Sequence, residues 1–146
     1  MRDQMGTPIA EMARMRRAEG VLVFILAVAV TVLLLLETLP SAAAGLSRAK
    51  VGLNRLDQLT RLGLLDGRNL WVPPLLGVVH LTGSVAVIVG LFAPAAGIVG
   101  GGLEAAAFGW VLSRQLSHGD RGRALGAYLL FASLALTVLI VSIVRV

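Results

Sequence analysis

Four runs of apolar residues, 21–36, 75–92, 95–112 and 125–144, leave this chain few ways to fold. Runs of about 17–25 apolar residues match one crossing of a bilayer core. The first run meets Glu37, Thr38 and Pro40 and continues through the small residues 41–45. At about 1.5 Å per residue, 21–45 covers ~36 Å, enough to cross with a tilt or a kink at Pro40. A soluble bundle would need polar faces that these runs lack. Only 14% of the residues are charged, against about 25% in a soluble protein. The expected fold is therefore all-α: an integral membrane four-helix bundle. A polar N-terminal lead, 1–20, precedes a four-span membrane domain, 21–146, with spans at about 21–45, 73–92, 95–114 and 125–144.

The longest connection, 46–69, has a pattern of its own. Leu53, Leu56, Leu59 and Leu62 recur every three residues among Arg48, Lys50, Arg55, Asp57, Arg61 and Arg68. This spacing predicts a basic amphipathic helix lying in the membrane interface, with Trp71 at its exit; a solvated linker is the plainer alternative. Trp71, Trp110 and Tyr128 fall near one membrane face, as an aromatic belt would. Arg2, Arg14, Arg16, Arg17 and Arg145 share one side, five cations against eight on the other. That count favours the long connection inside the cell, but the Arg16–Arg17 pair beside the first span argues the reverse, so orientation stays open.

Composition excludes several function classes. There is no cysteine, hence no thiol nucleophile, disulfide framework or iron–sulfur site. The apolar run from Val21 is longer than the core of a secretory signal. A pI near 11.3 could suggest nucleic acid, but the arginines flank apolar runs, where they meet lipid headgroups, and no basic stripe interleaves with aromatics. No metal-ligand set, catalytic triad or nucleotide motif is present, and catalytic residues stay unassigned. A bis-histidine haem needs two imidazoles at one depth; of the two histidines, His118 lies in the polar connection.

Three ionisable residues fall inside spans: Glu37, His80 and Glu104. Counted from the nearest span ends, they lie at ~12, ~10 and ~15 Å from the same face. They can therefore form one polar layer, and cost requires them to face inward and pair, or to be neutral. His80 is expected to contact Glu37 or Glu104. Such a layer serves two readings: a pocket that passes protons or touches a quinone headgroup, or interhelical glue. On the second span Pro73, Gly77, His80, Ser84 and Val87 are expected inward, and on the fourth Gly126, Ser133 and Thr137. Gly97, Gly101, Ala105 and Gly109 recur every four residues on the third span, a close-packing stripe for a helix of this chain or of a partner.

Three segments resemble DoxX-like membrane proteins. AAGLSRAK (43–50) is similar to the close of that family's first span, PPLLGVVHLTGSVAVIVGLFAP (73–94) to its second, and LSHGDRGRALGAYLLFASLAL (116–136) to its last connection and span. The family commonly has glutamate where this chain has His80, so that glutamate's chemistry is not carried over. Its lysine falls at Arg48 or Lys50, depending on alignment. The resemblance implies a four-helix membrane bundle linked to redox systems, including quinone-coupled thiosulfate oxidation. The functional expectation is a small accessory subunit of a quinone-linked respiratory or redox complex in the cell membrane, with no bound cofactor beyond a quinone contact. The alternative is a purely structural or assembly subunit. The expected partners are lipid, other membrane subunits or further copies of the chain.

Overall fold

The computed structural model describes residues 7–47, 57, 60–61, 71–119 and 121–146. They form four long helices: α1 (Thr7–Leu46), α2 (Val72–Gly90), α3 (Pro94–Ser117) and α4 (Arg123–Val144). Each is long and apolar enough to cross a bilayer, as a multi-pass membrane protein requires. Each packs on two neighbours, α1 on α2 and α4, and α3 on α2 and α4, so the bundle closes as a ring in chain order. Outward-facing Leu, Ile and Val, such as Leu36, Leu75, Val85 and Ile140, are exposed, as a lipid-facing surface demands.

The ends of the helices follow from local chemistry. Pro73 and Pro74 occupy the first turn of α2, where a missing N–H removes no bond. Ala93 is extended because Pro94 follows it, and Pro94 opens α3. Past the end of α3, Gly119 adopts φ +72° and its N–H bonds the Leu116 carbonyl, a left-handed stop that favours glycine. α1 runs unbroken through Pro40 and begins at Thr7, well before Val21. Residues 7–20 of the lead therefore continue the first span as one helix. Residues 10–19 hold no proline or glycine, and Ala, Glu, Met and Arg are strong helix formers. The 40 residues of α1 measure about 60 Å, roughly twice a bilayer core. The expected interfacial helix over 46–69 lies outside the described residues, apart from Leu46 and Ser47 at the end of α1 and Asp57, Thr60 and Arg61, which are helical.

Glycines set the helix spacing. A Cβ on Gly90 would overlap the backbone of Gly97, and one on Gly100 would come 2.6 Å from the Val87 nitrogen and 2.8 Å from the Gly83 carbonyl. The α2 and α3 backbones are thus in direct contact. On α4, Gly97 abuts the Ser142 side chain and Gly101 the Leu139 backbone; between α1 and α2, Gly45 meets Pro73 and Gly77. The four-residue stripe does not stay in these contacts. Ala105 is half-buried against the core, while Gly109 is exposed with open space around it. A four-residue step advances about 40° beyond a full turn, so three steps rotate the stripe by about 120° out of the interface. The inward line instead alternates steps of four and three: Gly97, Gly101, Glu104, Phe108, Val111 and Gln115, all buried.

Two expectations about facing residues are corrected. Gly126 and Ser133 are exposed and Thr137 only half-buried; the inner face of α4 is Tyr128, Ala132, Ala135, Val138, Val141 and Ser142. The hydroxyls of Ser133 and Thr137 donate to carbonyls of their own helix, Leu130 and Ser133, so they need no partner helix in lipid. Tyr128 is not part of an aromatic belt. It is buried, with its ring 6.3 Å from that of Phe108. Near the chain end, Arg145 donates to the carbonyls of Gly90 and Leu91 at 3.3 and 2.7 Å and lies 5.6 Å from the Phe24 ring. A cation at the end of α2 satisfies carbonyls with no helical partner and complements the helix dipole.

The glycine contacts make a direct prediction. Gly100→Val should destabilise the bundle by about 1–3 kcal/mol in detergent-titrated unfolding, because the added carbon meets backbone. Gly109→Val, with only open space around it, should change stability by less than about 0.5 kcal/mol.

Candidate functional site

Several buried polar side chains of the bundle gather where α1, α2 and α3 meet. His80 sits on the inner line of α2 with Pro73, Gly77, Ser84 and Val87, all buried. Glu104 sits on the inner line of α3, one turn beyond Gly100 and Gly101. The two are brought together: His80 Nδ1 and Glu104 Oε2 are 2.6 Å apart. Glu104 is 0% exposed and His80 4%. A contact this short holds a proton, either as Nδ1–H donating to a carboxylate or as a carboxylic O–H donating to Nδ1. Both arrangements avoid an isolated charge in hydrocarbon.

The surroundings fix the pair. Glu104 Oε1 lies against Gly83, where a Cβ would approach it to 2.5 Å, so a larger residue there would displace the carboxyl group. Among the described residues, Oε1 has no hydrogen-bond partner. The Phe108 ring packs 5.0 Å from the imidazole, and beyond it stand Tyr128 and Phe131. One turn along α2, Ser84 donates to Thr38 Oγ1 at 2.7 Å, tying α2 to α1 with both hydroxyls buried. Glu37, the third expected member, is half-buried and accepts from Ser41 at 3.1 Å, one turn on along α1. Ser41 in turn lines a cavity of about 10 Å³ together with His80, Gly45, Pro73, Val111 and Tyr128.

The remaining expected residues separate from this layer. Trp71 is 59% exposed and Trp110 38%. They flank an apolar groove of about 390 Å³ between α2 and α3, floored by Leu76, Leu103 and Ala107. Arg61 pairs with Asp57 at 3.0 Å on an exposed surface, a contact of little energetic weight. Arg48, Lys50 and Arg55 lie outside the described residues. His118 is exposed at the end of α3.

Sequence reasoning missed Thr38, Gln115 and Tyr128 as members of the interior. Thr38 and Gln115 are 0% exposed. A signal for Gln115 existed: it continues the four-and-three spacing from Glu104 through Phe108 and Val111. Tyr128 occupies the corresponding line of α4 with Ala132 and Ala135.

The chain matches no protein-family model, and no curated protein or solved structure shows significant similarity to it. The likeness to DoxX-like proteins therefore rests on the three short segments given above.

The enclosure of the pair makes its members interdependent. His80→Leu should destabilise the protein by about 2–3 kcal/mol, because it strands a buried carboxyl group. The double change His80→Leu with Glu104→Leu should recover most of that loss, read as a coupling energy in a double-mutant unfolding cycle.

Proposed function

We propose that the protein is a small multi-pass subunit of a larger redox complex in the cell membrane, in which His80 and Glu104 hold a proton inside the bilayer. The observation that carries this reading is the state of Glu104. It is wholly enclosed and, among the described residues, has one side-chain partner and keeps Oε1 without a hydrogen bond. A residue retained only to join helices is expected to have both oxygens satisfied, and an unsatisfied buried oxygen calls for a functional or strain-related explanation. An intramembrane carboxyl–imidazole pair can accept a proton on one member and release it from the other without exposing charge to lipid. The resemblance to DoxX-like proteins supports placing the pair in a quinone-linked respiratory setting.

A quinone ring does not fit beside His80, where the cavity of about 10 Å³ suits one water. The groove between Trp71 and Trp110 has the apolar lining a prenyl tail needs, and Leu76 is a wall common to groove and cavity. Any quinone contact is thus assigned to the outer face, with the His80–Glu104 pair kept for protons.

The second reading is an assembly subunit without chemistry. Its support is the Ser84–Thr38 bond, a fully buried tie between helices in the same region that no proton chemistry requires. The two readings part on mutation. In membranes of the source cell, His80→Ala and Glu104→Gln should each lower quinone-dependent electron transfer by about tenfold or more with the complex still assembled on native gels. Unchanged electron transfer, or loss of the complex itself, would favour the structural role.

A further inference from the structure

The cavity beside His80 has polar walls contributed by three helices. Ser41 comes from α1, His80 from α2 and Tyr128 from α4. Its volume of about 10 Å³ is close to the ~10–15 Å³ that one water needs, and a buried water needs two to four polar partners. Since Nδ1 is committed to Glu104, Nε2 is the ring nitrogen that His80 has left to offer the cavity. Ser41 also donates to Glu37, so the cavity is one hydroxyl away from a second carboxyl group.

Among the described residues, three other flanks of the pair are filled. Glu104 Oε1 abuts Gly83, the Phe108 ring covers the imidazole, and the Ser84–Thr38 pair occupies the next turn. Gln115 is buried farther along α3, two turns past Phe108, toward the end of the bundle that carries Trp71.

We infer that the cavity is a one-water site through which protons reach the buried pair from the Glu37–Ser41 side. This deepens the proton-holding role proposed above and rests on it. The step balances within the chain. A proton passes from the water to Nε2, and the proton on Nδ1 passes to the Glu104 carboxylate at Oε2. The imidazole ends neutral with its proton on Nε2, Glu104 ends as the acid, and the water is restored by the proton relayed through Ser41 from Glu37. Release runs the same hops in reverse. Ser41 and Tyr128 are positioning residues, since they hold the water rather than store the proton.

The chain has only two histidines, so the ring of His80 can be read alone. Full-length protein bearing His118→Asn, labelled with ¹⁵N-histidine and reconstituted in lipid nanodiscs, gives one imidazole in NMR spectra. The measured quantity is the rate at which its ring proton exchanges with D₂O. We expect Ser41→Ala and Tyr128→Phe each to slow that exchange by about tenfold, the effect of removing one hydrogen bond from the water. Thr38→Val, on the filled flank, should leave the rate within about twofold, as expected of a site sharing none of the water's partners. Exchange that is unchanged or faster in both cavity variants, or slowed as much by Thr38→Val, overturns the inference. The assay is independent of electron transfer. Slowed exchange with unaltered electron transfer in the His80→Ala complex would retain the water site and refute the redox role.

Discussion

A carboxyl group enclosed by four apolar helices has to be paired or neutral, and much of this bundle is arranged around that requirement. Glu104 is fully enclosed, and one proton lies between it and His80 across 2.6 Å. The sharing fixes the depth of α2 against α3. The Phe108 ring then closes over the imidazole, and Tyr128 brings α4 into the same layer. The Ser84–Thr38 bond adds α1 one turn away. In hydrocarbon there is no hydrophobic drive between helices, so such contacts and close packing must do the holding.

Close packing and the polar pair depend on the same residues. Gly83 serves both: its carbonyl faces Gly100, and its missing side chain leaves room for Glu104 Oε1. Gly100 and Glu104 lie one turn apart on α3, so the approach that lets the backbones touch also places the carboxyl group against α2. The pair could not form at a wider helix spacing, because neither side chain is long enough to compensate. α2 and α3, joined by a turn of only a few residues, are the most enclosed of the four described helices.

The fold was legible because hydrocarbon imposes a simple rule. A crossing needs a long apolar run, and four such runs are visible without any structure. His80 and Glu104 were legible for the same reason, since a titratable residue in such a run is conspicuous. Neutral polar residues obey weaker rules. Ser133 and Thr137 looked inward, but a hydroxyl can bond its own helix and face lipid. Thr38 and Ser84 use the same group to join two helices, and spacing alone does not separate the cases. An amphipathic ring suggests the membrane face for Tyr128, whereas its position on the Ala132–Ala135 line puts it in the core. The stripe ending at Gly109 was read with a period of four, and the difference from 3.6 carried its far end out of the interface.

A proton held between His80 and Glu104 links the two innermost helices, α2 and α3. The link stands on one distance, and that distance can be measured in lipid. In bilayer-embedded protein labelled with ¹⁵N-histidine and ¹³C-glutamate, dipolar recoupling reads the separation of His80 Nδ1 from the Glu104 carboxyl carbon. We expect roughly 3–4 Å, as a direct hydrogen bond requires, with Glu104→Gln removing the carboxylate signal. A separation beyond about 6 Å, with each side chain bonded elsewhere, would contradict the shared proton and the layer built on it.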